Sequence, residues 1–139
     1  MRELGKSTKC LQALKPQTVS GQSVDIAGFA IDRKDFDGAI FTTHIGDVSG
    51  TPTNYSNTFR VQDSADGVTF NDVSGLTFSV LSGAVPVPNY AMSGEINVDL
   101  RPLNRYVRIV LKNSFLAGSS PNLFVSSAVI LGEPKVYPV

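Results

Sequence analysis

The chain has 139 residues, 42% of them hydrophobic and 17% charged, with Lys plus Arg and Asp plus Glu balanced at 12 each. That length predicts one domain able to bury roughly 70% of its unfolded surface, and the balance excludes the excess positive charge by which nucleic-acid-binding proteins hold phosphates. A single cysteine, Cys10, excludes an intrachain disulfide and a cysteine-built zinc site.

Residues 1–17 differ from the rest. Arg2, Lys6, Lys9 and Lys15 stand against Glu3, with Leu4, Leu11 and Leu14 at loosely helical spacing before Pro16. The stretch reads as an extended N-terminal arm preceding a domain over residues 18–139. It lacks the uninterrupted apolar stretch of a signal peptide, and no run in the chain approaches the ~18 apolar residues of a membrane span. The expected product is soluble and unexported, without a membrane partner.

From Val19 onward the pattern is that of strands. Val24 and Ile26, then Phe29 and Ile31, predict an early strand made irregular at Gly28. After Asp37-Gly38, Ala39, Phe41, Thr43 and Ile45 alternate with Ile40, Thr42 and His44, the two-residue period of a strand. Residues 46–57 hold Gly50, Pro52 and Asn54 and read as a long loop. Phe59 and Val61 alternate with Arg60 and Gln62, and Asp66-Gly67 then marks a hairpin, since glycine supplies positive φ without steric cost. Val68, Phe70 and Val73 are expected on the returning strand.

Leu76, Phe78 and Val80 continue the alternation. Residues 82–93 carry Pro86 and Pro88, which cannot donate to a ladder, so a loop or an edge is expected there. Ile96, Val98 and Leu100 face inward against Glu95, Asn97 and Asp99, until Pro102 ends the strand. Val107, Ile109 and Leu111 form the next inner face, and Leu123, Val125, Val129 and Leu131 mark a closing strand ahead of a tail from about residue 132. About eight strands at this spacing predict an all-β fold, an antiparallel β-sandwich of jelly-roll type.

The residues show no catalytic set. His44 is the sole histidine and has no candidate triad partners; no Gly-x-Ser-x-Gly elbow, phosphate loop or His-Glu-x-x-His is present. Asp63, Asp66 and Asp72 lie close in sequence, but their spacing is not that of a calcium loop, and Asp66 belongs to its turn. Arg101, Arg105, Tyr106 and Arg108 read as a solvated outer face. The expectation is a chain that is not an enzyme and takes no cofactor or metal.

Two family resemblances follow from particular segments. Ser64-x-Asp66-Gly67-x-x-Phe70 and Arg105-Tyr106-Val107-Arg108 resemble the discoidin-like jelly rolls, although the chain lacks their cysteine pair and their tryptophans. The same pieces are joined by Gly28-Phe29-Ala30-Ile31-Asp32, by Asp37-Gly38-Ala39-Ile40-Phe41 and by Ala128-Val129-Ile130-Leu131-Gly132-x-Pro134. Together, in that order over about 110 residues, they resemble small β-rich virion proteins of tailed bacteriophages.

The second resemblance implies a capsid decoration or cement protein, made in the host bacterial cytoplasm and located in the virion. It implies contacts to the major capsid protein and to copies of itself. Leu4, Leu11, Leu14 and Tyr137 are the candidate partner-binding residues, on an arm and a tail able to reach across subunits. A head-tail connector or tail component is the nearest alternative. The discoidin resemblance implies instead a carbohydrate-binding module, for a glycan on the host surface, with Tyr55 and Tyr90 as the candidate ligand-loop residues.

Overall fold

A computed structural model describes residues 3–20, 24–84 and 92–135. After a single 3₁₀ turn at Leu4–Lys6, these residues form nine strands: β1 (Lys9–Ser20), β2 (Val24–Ala27), β3 (Ile31–Asp32), β4 (Phe36–Ser49), β5 (Asn54–Ser64), β6 (Asn71–Ala84), β7 (Met92–Asp99), β8 (Tyr106–Leu116) and β9 (Asn122–Pro134). The first sheet runs in the order β1-β9-β4-β7. The second runs β2-β8-β5-β6, with β3 also on β8. Because β2 and β3 share one edge, nine strands fill eight positions.

The pairing is nested. β1 pairs with β9, β2 and β3 with β8, β4 with β7, and β5 with β6, all antiparallel. The chain is thus one long hairpin rolled up, and the β4–β9 and β8–β5 ladders join its layers. This is the jelly roll expected from the strand spacing.

Alternation decides which side chains fill the space between the sheets. Phe41 and Ile45 of β4, Phe59 and Val61 of β5, Val107, Ile109 and Leu111 of β8, and Leu123, Val125, Val129 and Leu131 of β9 are all buried. Phe59 stacks on Phe78 with ring centroids 5.4 Å apart. Each such side chain contributes about 1.5–3 kcal/mol on burial.

The early strand breaks at Gly28, as its sequence suggested. Its N–H donates to the Ile109 carbonyl at 2.8 Å, and that of Phe29 donates to the Ala13 carbonyl at 2.9 Å. One short backbone segment therefore bonds to both sheets. A Cβ at residue 28 would sit 2.2 Å from the Ala13 oxygen and 2.9 Å from the Ile109 oxygen, so this approach requires glycine.

Four expectations are corrected. The N-terminal stretch is extended, but from Lys9 it is hydrogen-bonded along β9 as an edge strand of the chain's own sheet. The spacing of Leu11 and Leu14 is not helical in origin: a register shift between Gln12 and Leu14 adds a residue, so both leucines face inward. Residues 46–57 are mostly strand, because β4 continues past an irregularity between Ile45 and Val48 to pair Ser49 with Asn122. The connection is short, with Gly50 at φ 82° and Thr51 at φ 48°.

The fourth correction concerns the β5–β6 hairpin. The turn is longer than an Asp-Gly pair, and Val68 lies in it, 81% exposed. The Asp66 carboxylate accepts the N–H groups of Val68 (2.9 Å) and Thr69 (2.8 Å) and the Ser64 hydroxyl (2.8 Å), while the Ser64 oxygen accepts the Gly67 N–H (2.9 Å). These bonds satisfy the wider loop locally.

Candidate interaction surface

The two outer faces of the sandwich differ in chemistry. On the second sheet, Arg60 of β5 reaches Asp25 of β2 at 3.3 Å and Asp72 of β6 at 3.0 Å. Gln62 donates to Asp72 at 2.7 Å and accepts from Arg108 at 2.8 Å, and the Arg108 guanidinium lies 4.1 Å from the Phe70 ring centre. Hydrogen bonding from Gln62, supported by Arg60, holds the Asp72 carboxyl below its usual range. Desolvation beside Arg60 lowers Arg108. Pairs of this exposed kind add little stability, up to about 1 kcal/mol each, but they satisfy one another and leave the face suited to water.

The first sheet is different. Outward positions on its two central strands are Gly38, Ile40, Thr42, His44 and Gly46 on β4, and Phe124, Ser126, Ala128, Ile130 and Gly132 on β9, set side by side by the ladder. None is an acid, a lysine or an arginine, although the Glu133 side chain of β9 lies over Gly38, where an added Cβ would meet its carboxylate oxygen at 3.0 Å. Thr42 turns its hydroxyl back to the Ala128 carbonyl at 3.3 Å, so it offers no donor outward.

Glycine, alanine and serine leave depressions between the larger side chains. A hollow of about 390 Å³ lies between Ile40, Asn97, Ile130 and Gly132, with Asp99 and Glu133 also on its wall. A second, of about 330 Å³, is bordered by Cys10, Gln12, His44 and Ala128. A third, of about 250 Å³, lies among Pro16, His44, Gly46 and Phe124. Beside these hollows stands the Phe124 ring, 59% exposed. A face with few charges, several hollows and a protruding aromatic is less suited to water than the ion-paired face of the second sheet.

More charge lies at the rims. Lys9 and Lys15 lie on edge strand β1, and Glu95 lies outward on edge strand β7, opposite Thr42. None of the three has an ion-pair partner among the described residues. Asp99, at the lower end of β7, is occupied by Arg101 at 2.7 Å, whose hydrogen bonds hold its carboxyl down to about 2.

The residues anticipated for binding are dispersed. Leu4 is 76% exposed on the 3₁₀ turn and free for contact. Leu14, 1% exposed, belongs to the chain's own core, and Leu11 packs against that core from β1. Tyr55, 6% exposed, points between the sheets from β5 and cannot present its ring to a sugar. Tyr90 and Tyr137 lie outside the described residues. His44 sits exposed on the outer face of the first sheet. Among the described residues no cluster of His, Cys, Asp and Glu is arranged to hold a metal ion, and no helix is long and apolar enough to cross a membrane.

Phe124, Ile40, Ala128 and Ile130 were not anticipated. A signal for them exists in the runs Ala39-Ile40-Phe41, Leu123-Phe124-Val125 and Ala128-Val129-Ile130-Leu131, which are apolar at consecutive positions. Strands of that composition are ones covered on both faces.

No protein-family model matches the chain, and no curated protein matches it. Solved structures share its fold. The VP2 subviral particle of infectious bursal disease virus superposes with a TM-score of 0.59 at 8% identity, over 92% of this chain and 33% of that one. The Gx strain of the same virus gives 0.56 at 12% identity, over 94% and 35%. The Gt strain gives 0.57 at 11% identity, over 94% and 34%. This chain therefore spans about a third of the length of those viral proteins. At such identities the likeness is one of fold.

Proposed function

We propose that this chain is a non-catalytic structural protein of a tailed-bacteriophage virion, a capsid decoration or cement protein that binds the major capsid protein and stabilises the shell. The observation that carries the reading is the nested jelly roll, shared along nearly the whole chain with a viral protein that forms subviral particles. The ordered phage-like segments from Gly28 to Pro134 support the same assignment. So does an outer face with few charges, since each of many copies needs only a weak attachment for the whole coat to hold by avidity.

The mechanism is mechanical. The sandwich is a rigid block, and the exposed Leu4 segment ahead of β1 is the described N-terminal part left free to reach a shell subunit. The glycan reading loses support from the burial of Tyr55.

Particles purified from a host expressing the chain, and from one lacking its gene, provide the test. Mass spectrometry is expected to find the chain in the first set, cryo-electron microscopy to place it on the head, and heating to release DNA at a lower temperature from the second. Absence from purified particles would discard the virion role. Density at the neck or tail would move the assignment to the connector alternative.

A further inference from the structure

We infer that the buried Asn57–Asn113 pair is a register lock, which selects one alignment of β5 on β8 among those that the apolar pattern cannot tell apart. The two side chains stand directly opposite each other on the ladder, both 0% exposed, and the Asn57 amide donates to the Asn113 oxygen.

Alternation alone leaves the alignment open. A slip of one residue would turn every inward side chain outward, so the apolar pattern forbids it; a slip of two restores the same sidedness. Inward on β5 are Tyr55, Asn57, Phe59 and Val61, opposite Phe115, Asn113, Leu111 and Ile109 on β8. Apart from the asparagines, all belong to the hydrophobic core. A two-residue slip sets Asn57 against Leu111 in one direction and against Phe115 in the other. Asn113 would then lie on a diagonal of roughly 7 Å, too far for a short carboxamide to span. Both carboxamides would be buried wholly unpaired, the state that a protein interior tolerates least.

The rest of the second sheet resists such a slip less. β6 travels with β5, because the two form one hairpin, while β2 and β3 stay on β8. Phe59 keeps its stack on Phe78. The Gln62–Arg108 bond is lost, as is the 2.7 Å bond from the Ser119 N–H to the Gly50 carbonyl between the end connections. Arg108, Gly50 and Ser119 all reach the surface, where water takes over their bonds.

A buried polar pair is weak as a source of stability, and this one leaves two of its atoms without partners. What it supplies is a single alignment. A buried asparagine fixes the register of coiled coils on the same physical ground.

The test removes the pair without stranding either member. In Asn57→Leu/Asn113→Leu, and in the less bulky Asn57→Val/Asn113→Val, NMR of the full chain is expected to show a second set of β5, β6 and β8 amide signals. That set should reach about 10% or more of the first, where wild type shows one set. Its cross-strand contacts should join Thr58 to Val110 or Ser114 in place of Lys112, which Thr58 faces in the native ladder. Asn57→Thr/Asn113→Thr, which keeps a hydroxyl bond across the strands, should show one set again.

One set of signals with the native Thr58–Lys112 contact in a folded apolar variant would overturn the inference, because the end connections would then hold the alignment unaided. An equally populated second set in the threonine variant would overturn it too. Failure of both apolar variants to fold would make the pair a requirement of the fold rather than of its alignment, and equally overturn the lock.

Discussion

The carboxamides of Asn57 and Asn113 meet directly across the β5–β8 ladder, inside the sandwich and fully buried, with the Asn57 amide donating to the Asn113 oxygen. The pair satisfies only half of itself. The Asn57 Oδ1 and the Asn113 Nδ2 have no partner although both are buried. A buried polar atom left unpaired costs roughly 1–3 kcal/mol, whereas removing both members of a pair can be neutral or stabilising. The two residues are therefore a local expense of the core.

The expected outcome is non-additive. Asn57→Leu alone strands the Asn113 amide and should lower unfolding stability by about 1–3 kcal/mol. Asn113→Leu should do the same. The double leucine variant should recover most of that loss, and urea denaturation of the four proteins measures the cycle. A double variant as unstable as the sum of the singles would show that the site cannot accommodate the added volume.

The β5–β6 loop carries a pH signature. Hydrogen bonds from the Thr69 and Val68 N–H groups and from the Ser64 hydroxyl hold the Asp66 carboxyl down to about 2. A depressed folded-state value means that the stabilisation is full above the unfolded value of ~3.9 and is lost as pH falls toward 2. Stability measured between those limits should fall with decreasing pH. In Asp66→Asn the fall should be smaller, leaving the part supplied by the other depressed carboxyls, Asp99, Asp72 and Asp32. Carboxyl NMR should find Asp66 titrating near the lower limit.

Much of this fold was legible, and the misses share a cause. Ala39, Phe41, Thr43 and Ile45 are all buried, as their alternation predicts, and Val107, Ile109 and Leu111 are too. Period-two reading works wherever a ladder is regular. It fails at irregularities: the extra residue between Gln12 and Leu14 brings two leucines three apart onto one face, imitating a helix. Tyr55 was misjudged because Gly50, Pro52 and Asn54 resemble a long loop, although β5 begins at Asn54.

The outer face of the first sheet was the least legible feature. It exists only because β4 and β9, more than seventy residues apart in sequence by their Ser49–Asn122 pairing, lie side by side. Neither strand alone presents a patch. Phe124 becomes prominent only beside Gly46, whose own added Cβ would lie 3.2 Å from the Phe124 Cβ.

Gly28 is the position where a single methyl group should do most harm. Gly28→Ala drives a Cβ into the Ala13 and Ile109 carbonyl oxygens, and both are backbone atoms that cannot rotate away. Either the strand retreats and loses its bonds to both sheets, or the sheets part. A loss of about 3 kcal/mol or more is expected, in the severe tail of single substitutions. Thermal unfolding would report it as a large drop in Tm; an unchanged Tm would mean that the β2–β3 segment is held elsewhere.

The boundary between removable and structural N-terminal sequence follows from β1. Residues 1–8 precede the strand, and among residues 3–8 none is buried. Removing residues 1–8 should leave circular dichroism and Tm nearly unchanged. Removing residues 1–17 takes most of β1, including Ala13 and Leu14 from the core, and exposes the hydrogen-bonding edge of β9. An uncovered edge invites pairing with another chain, so the longer truncation should aggregate or unfold. Only the shorter truncation can then isolate the contact proposed for Leu4. If it folds normally yet no longer joins particles, that segment holds the shell; if it folds and still joins them, the attachment lies on the sandwich itself.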